Sequence, residues 1–337
     1  MHPHASYDIG RPSHCETRVR AKKYIKIANA MKTYAPVTAD QTASDAFAAI
    51  LRHNFDNLHS WQDSARDWQD IEGVHQVRVS FRRLRSAFSV FRPVLAGKDR
   101  KHWSKTIKSL VDHTGPARDI DVLIDEGLPA FHAERPDMAD LGGAAMLAIL
   151  TEKREAAYED VRAMLDSDAY AAFNRDFTGW IDTAGWRSEA LSEKKHKRLA
   201  ADVSTLATRL LDRQDTEVLS HGDGIENHEP DEMHQLRIEC KKLRYAGEFF
   251  MTVFDGMAEF LKHMKGMQDT LGLMNNAAVM RHMMDDLIPE DADADLRQYA
   301  QVLVDWRADQ YKAKEDQLND QWTEFLDAER PWEEWAW

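Results

Sequence analysis

Two distant segments of this chain are written in nearly the same letters. His75-Gln-Val-Arg78-Val-Ser-Phe-Arg82-Arg83-Leu-Arg85 is followed, 159 residues later, by His234-Gln-Leu-Arg237-Ile-Glu-Cys-Lys241-Lys242-Leu-Arg244. Basic residues recur at offsets 0, 3, 7, 8 and 10, and His, Gln, Arg, Leu and Arg return as identical letters. At about 100° per residue, Arg78, Arg82 and Arg85 fall at roughly 300°, 340° and 280° on a helix. With His75 they form one cationic stripe about 80° wide. Val77, Phe81, Leu84, Phe88 and Phe91 fall between roughly 160° and 240°, which makes an apolar face. Arg83 stands off both. Each segment therefore predicts a helix with a core face and a cationic edge, and the fold has to bury two such faces.

A basic edge on a single helix is ordinarily a solvated edge. Crowding Arg78, Arg82 and Arg85 into about two turns costs repulsion. The same crowding in a second, diverged copy points instead to an anion that both edges serve. From His75 to Arg85 the stripe is about 15 Å long, which suits an extended polyanion better than one phosphate. Arginine forks grip phosphate oxygens in pairs and lysine acts as a point charge, so such a lining holds a chain without reading a sequence. His75 and His234 sit among cations, and their charge would follow whether an anion is bound.

The flanking sequence repeats too. Phe47, Ile50, Leu51, Phe55 and Leu58 predict a helix that Thr38 or Ser44 could cap. The His75 helix follows and stops near Pro93 and Gly97. Residues 100–114 form the next, with Lys101, Lys105 and Lys108 on one face and Trp103, Ile107 and Leu110 inward. Gly115-Pro116 breaks it, and Arg118-Asp119-Ile120-Asp121-Val122 opens another. Helices over 141–165 and 169–181 precede a connection at 179–188. The second half predicts a helix over 193–213 that starts with Lys194, Lys195, Lys197 and Arg198. A polar loop at 222–230, the His234 helix and a helix over 257–271 follow. Gly272 breaks that last one, Asn275-Asn276 opens its successor, and a final long helix runs to about 328. At an offset of 157, Lys105, Lys108, Gly115, Arg118, Asp119 and Val122 fall on Lys262, Lys265, Gly272, Asn275, Asn276 and Val279.

No period-2 strand pattern stands out. The expected fold is all-α, two pseudo-twofold-related helical bundles over 37–182 and 189–328, with the stripes lining a shared groove if the halves face each other. Residues 1–36 read as an unstructured start and a short basic helix at 18–32. Residues 329–337, with Trp332, Trp335 and Trp337, read as an aromatic, acidic tail that clamps onto the body or frays.

Charge sharpens the reading. The chain has 44 Lys and Arg against 58 Asp and Glu, a net charge of −14, which opposes simple coating of nucleic acid or anionic membrane. Basic stripes against that background are informative. Cys15 and Cys240 are the only cysteines, so there is no disulfide framework and a reducing compartment is the default. No apolar run nears the ~18 residues of a membrane span, and the start lacks a signal-peptide core. The expected setting is cytoplasmic, without a membrane partner.

HQVRVSFRRLRSAFSVFRPVL with TGPARDIDVL, and HQLRIECKKLRYAGEFF with LGLMNN, resemble the two signatures of the CHAD domain family. The resemblance covers roughly residues 40–327. It implies two antiparallel four-helix-bundle halves around a basic central groove, and binding of inorganic polyphosphate. Carried over by position, the binding residues are His75, Arg78, Arg82, Arg83, Arg85, Lys105, Lys108 and Arg118, then His234, Arg237, Lys241, Lys242, Arg244, Lys262 and Lys265, with Lys197 and Arg198 at the margin. Lys241 and Lys242 stand where the family pattern favours Arg, which keeps charge but loses the fork. Asn276 stands where an acid is usual, so a somewhat weaker second half is expected.

CHAD domains often accompany a catalytic domain with an alternating ExExK strand, and none is seen here. The expectation is a binding module, not an enzyme, that uses no cofactor or metal and serves as a scaffold or targeting device for polyphosphate granules. Nucleic-acid backbone binding is the weaker alternative, because Tyr245 is the main aromatic among the basic positions. A polyphosphate hydrolase with metal at Asp119, Asp121 and Asp125 is a third reading. Against it, Asp119 is expected to cap or pair locally and Asp121 to be stabilised at a helix N-terminus. Glu193-x-x-His196 has half of a di-iron spacing but lacks a second copy.

Overall fold

The first described helix starts at Thr42, whose hydroxyl accepts a hydrogen bond from the Asp45 N–H at 3.1 Å and so caps it. A computed structural model describes residues 34–188, 191–312 and 314–333 of the chain. The basic segment at 18–32, Trp335 and Trp337 lie outside the described residues, as do the side chains of Asn275 and Asn276.

Helix α1 (Ala43–Trp61) packs along α2 (Glu72–Val90), the helix of the first stripe. The apolar face predicted for α2 is the buried one: Val77, Phe81, Leu84 and Phe88 have no exposed surface. They meet an aromatic cluster in which the Phe47 ring lies 5.8 Å from Phe88, 4.8 Å from Phe91 and 5.2 Å from Trp186. Helix α3 (Gly97–Asp112) lies against α2 and buries Trp103, Ile107 and Leu110. Helix α4 (Gly115–Val122) follows, passes into a π segment (Leu123–Gly127) and continues as α5 (Leu128–Glu134). Helices α6 (Ala144–Leu165) and α7 (Asp168–Asp182) cover α4 and α1.

Beyond the connection come α8 (Glu193–Ala200), α9 (Val203–Gly222), α10 (Pro230–Phe249), α11 (Met257–Leu287), α12 (Ala294–Lys312) and α13 (Glu315–Asp327). Neighbours in sequence pack in turn from α9 to α12, and α13 lies on α11. The two stripe helices α2 and α10 touch, and Phe91 meets Phe250 at 6.0 Å beyond their ends. The described chain is all-α, as the absence of a period-2 pattern predicts. Trp332 is fully buried against Phe260 at 4.9 Å and donates its Nε1–H to Asp212 at 2.7 Å, so this part of the tail clamps onto the body.

Four element boundaries depart from the sequence reading, the first being that Thr42 rather than Thr38 or Ser44 caps α1. Gly272 does not end a helix, since α11 runs unbroken through 31 residues. Gly115 owes its break to Pro116, which has no N–H to give. Gly272 is followed by Leu273, and one helical glycine costs only about 1 kcal/mol. The helix expected over 193–213 is two helices, because the chain turns at Ala201-Asp202 to pair with the start of α1. There the Ala43 N–H donates to Ala201 and the Val203 N–H to Gln41, both at 2.8 Å. The last long helix is likewise divided into α12 and α13.

Candidate functional site

Facing helices bring part of the predicted basic set into one cavity of about 320 Å³. Helix α2 supplies His75, Arg78 and Arg82, one stripe at helical spacing. Arg118 and Asp119 come from α4, and Arg237 and Lys241 from α10. The remaining lining is Val122, Leu123, Met280 and Met283, with Arg307 from α12. Sequence reasoning missed Arg307. It is a lone arginine in QVLVDWRADQ, with no stripe around it and no counterpart in the repeated segments.

The cavity is electrostatically loaded. Burial holds the guanidinium groups of Arg78, Arg237 and Arg307 below their usual range. Lys241 moves furthest. Burial first, then Arg237, Arg82, Arg78 and Arg244, push its ammonium down to about 7. His75 is also pushed down, by burial and then by Arg118, which outweigh the pull of Glu72. A favourable anion would reverse these shifts, since it stabilises each charged form.

Polar satisfaction gives independent testimony. The Nε atoms of Arg82, Arg237 and Arg307 are buried without a hydrogen-bond partner among the described residues, as are those of Arg83 and Arg244 beside the cavity. Arg307 gives one Nη1 hydrogen to Gln310 at 3.1 Å and lies 5.1 Å over the Trp306 ring. Arg118 stands 3.7 Å from Glu126. Buried donors of this kind are ordinarily matched.

The other predicted residues lie elsewhere. Arg83 donates to Glu248 at 2.9 Å, and Arg244 stands 3.4 Å from the same carboxylate, so these two arginines and one glutamate tie α2 to α10. Lys242 is taken by Glu239 at 2.6 Å. Exposed carboxylates on their own helices hold Lys108 (Asp112, 2.5 Å), Lys262 (Glu259, 2.7 Å), Lys265 (Asp269, 3.2 Å) and Lys197 (Glu193, 2.7 Å). Arg85, Lys105 and His234 are exposed outside the cavity. Lys197 and Arg198 share a separate depression with Lys194 and Arg209.

Asp121 differs from its expected role. It is fully buried and accepts from Arg154 Nε and the Tyr158 hydroxyl, both at 2.7 Å, so tertiary partners rather than a helix terminus stabilise it. Arg154 also reaches Asp125 at 3.0 Å. Among the described residues no helix is long and apolar enough to cross a membrane.

The family model for the CHAD domain matches residues 49–285, and the chain belongs to that family. The crystal structure of the CHAD domain from the plant Ricinus communis has the same fold, with a TM-score of 0.71 at 23% identity over 88% of this chain and 95% of that one. PptA from Streptomyces chartreusis is similar in fold at a TM-score of 0.62 and 15% identity, over 84% of this chain and all of that one (100%). A comparison with curated protein sequences gives no match. Arg307 falls outside the stretch that the family model covers.

Proposed function

We propose that this protein binds inorganic polyphosphate through the cavity between α2, α4, α10, α11 and α12. It acts as a scaffold or targeting module for polyphosphate bodies and is not an enzyme. The observation that carries the reading is the set of buried, unpartnered Nε atoms on Arg82 and Arg237, inside a cavity that also holds Arg78, Arg118 and Lys241. Phosphate oxygens match guanidinium forks, and their negative charge offsets the mutual repulsion of the lining.

Two observations weigh against the alternatives. Tyr245, the aromatic best placed by sequence to stack on a base, is buried with Arg244 5.3 Å over its ring. Asp121 and Asp125 are committed to Arg154, which leaves Asp119 as the carboxylate on the cavity lining.

The test is a titration of the protein with long-chain polyphosphate and with single-stranded RNA at two salt concentrations. Both weaken with salt, because both release counterions. Polyphosphate is expected to bind more tightly at each. Equal affinity for RNA would overturn the reading, and release of orthophosphate with Mg²⁺ or Mn²⁺ would show a hydrolase instead.

A further inference from the structure

We propose that the acidic, aromatic stretch Glu333-Glu334-Trp335-Ala336-Trp337 of this chain docks into the basic depression between α8 and α9. Residues 334–337 lie outside the described residues, so the occupant is a named segment of the same chain. This surface is separate from the polyphosphate cavity, and its occupancy does not depend on what that cavity holds.

Lys194, Lys197 and Arg198 of α8 and Arg209 of α9 rim a depression of about 580 Å³. Leu206, which is 5% exposed, and Thr205 form its floor. Among the described residues the lining has Glu193 as its single acid, and only Lys197 of the four cations has a carboxylate partner, this same Glu193 at 2.7 Å. An apolar floor inside a cationic rim suits an occupant that is apolar and acidic at once. Polyphosphate would answer the rim and leave the floor uncovered. An indole covers apolar surface and also sits well against a guanidinium or ammonium group.

The chain before the tail runs along α9 toward this depression. Trp322 packs so closely on Gly222 that a side chain there would collide with its ring. Arg330 stands 3.2 Å from Asp215, and the Trp332 indole donates to Asp212 at 2.7 Å. The Trp332 carbonyl then accepts from the Thr208 hydroxyl at 3.5 Å. Gly222, Asp215, Asp212 and Thr208 are successive stations on one helix. From Trp322 to Trp332 the chain has therefore moved about 21 Å toward the start of α9, at 1.5 Å per residue. Thr205 and the depression lie about 5 Å further, one helical turn on. The four residues 334–337 span about 13 Å when extended, which covers that distance.

Charge sets the same direction. Behind the tail are Asp215 and Asp212, already engaged by Arg330 and Trp332, and they repel further acids. Ahead are Arg209, Arg198, Lys197 and Lys194. Glu333 and Glu334 are drawn forward, and Trp335 and Trp337 bring apolar surface to the floor. The part of the tail already seated uses the same chemistry: Trp332 is fully buried against Phe260 while its N–H meets a carboxylate, and Arg330 lies 4.6 Å over the Phe325 ring. With the tail docked, the chain itself answers the cations of the depression, and Lys197 and Arg198 leave the set that holds polyphosphate.

The test uses the full-length protein labelled with 5-fluorotryptophan and a soluble gadolinium chelate that broadens exposed resonances. Trp335→Phe and Trp337→Phe assign the two tail resonances by subtraction, and Trp332→Phe assigns the buried reference. The tail indoles are expected to lose most of the broadening that free 5-fluorotryptophan shows. Arg198→Glu with Arg209→Glu is expected to raise the exposed fraction of the tail about threefold or more, the scale of two exposed charge pairs, while Trp332 stays protected. Glu333→Lys with Glu334→Lys in that background is expected to restore protection. Fully broadened tail indoles in the unsubstituted protein would overturn docking, and a loss of polyphosphate affinity in Arg198→Glu with Arg209→Glu would then give the depression to an anion from outside. Protection that ignores the charge reversal would place the tail on another surface and overturn it as well. Protection that rises with protein concentration would seat the tail on a second copy, which also overturns it.

Discussion

Helices α2 and α10 carry the same basic letters at the same offsets, yet they spend them differently. On α2 the stripe faces the cavity with His75, Arg78 and Arg82, and after Glu72 the helix contains no acid. On α10 only Arg237 and Lys241 reach the cavity. The acids beside the two stripes also differ, at two positions. Where α2 has Ser80 and Ser89, α10 has Glu239 and Glu248 in the matching register. Glu239 takes Lys242, and Glu248 takes Arg244 together with Arg83 from the opposite helix. A basic stripe is therefore a supply of charge, and the acids placed beside it decide how much reaches a ligand.

The sharpest way to break this comparison is to remove cavity charge from α2 and acid-held charge from α10. Arg78→Ala combined with Arg82→Ala is expected to weaken polyphosphate binding about a hundredfold, because two charge-assisted contacts of roughly 1.5 kcal/mol or more are lost. Lys242→Ala on α10 is expected to change affinity less than about threefold, since its charge is already screened by a partner. Fluorescence titration of the variants, with circular dichroism to verify folding, measures both. Equal losses on the two helices would show that the acids of α10 do not withdraw its charge.

A second prediction concerns what Glu248 does for the fold. Its side chain is 10% exposed, and those of Arg83 and Arg244 are 17% and 25% exposed. Removing the carboxylate leaves two guanidinium groups facing each other in a largely dry site. Glu248→Ala is expected to lower stability by about 2–3 kcal/mol, somewhat below the cost for a fully buried pair. The midpoint of urea unfolding reads this, and Ser89→Ala on α2 should leave it almost unmoved. An unchanged midpoint in Glu248→Ala would mean that the tie between the helices contributes nothing.

The parts that were legible in the sequence are those set by local periodicity. Val77, Phe81, Leu84 and Phe88 declared the buried face of α2, and Trp103, Ile107 and Leu110 that of α3. The partners of Lys108, Lys197, Lys242, Lys262 and Lys265 were also within reach, because each sits three or four residues from its carboxylate on one helix. Arg83 with Glu248 was not legible, being 165 residues apart. Arg307 was not either, since only tertiary packing brings α12 to the cavity. Gly272 shows that a glycine stops a helix when its neighbours agree, as Pro116 does for Gly115.

The third prediction turns on Lys241, the lysine of the cavity. The arginines of α2 keep their charge at any ordinary pH, whereas Lys241 of α10 is held at about 7 when the site is free. A bound polyanion favours the charged ammonium, so binding takes up a proton. Polyphosphate affinity should fall about tenfold as pH rises from about 6 to 8.5. Lys241→Arg should flatten the profile. Stability of the free protein should move the opposite way. The unfolded lysine titrates near its ordinary 10.5, so between about 7 and 10.5 the unfolded chain binds more protons, and the contribution of Lys241 to stability rises with pH across that window. A pH-independent affinity in the unsubstituted protein would remove Lys241 from the site.

The smallest effect is expected where the comparison extends to the neighbouring helices. Lys105 and Lys108 on α3 match Lys262 and Lys265 on α11 at an offset of 157, and all four are exposed or held by exposed acids. Charges at such positions act on a ligand across water, so at physiological salt their influence fades over about 8 Å. Lys262→Ala with Lys265→Ala is expected to weaken polyphosphate binding by no more than about threefold at that salt and by more at low salt. The same should hold for Lys105→Ala with Lys108→Ala. The slope of log affinity against log salt distinguishes the cases, because a lysine in direct contact with phosphate lowers the slope by about one when removed and a distant one leaves it nearly unchanged. A loss in either lysine pair as large as that of Arg78 and Arg82 would move the binding surface out of the cavity and onto the faces of α3 and α11.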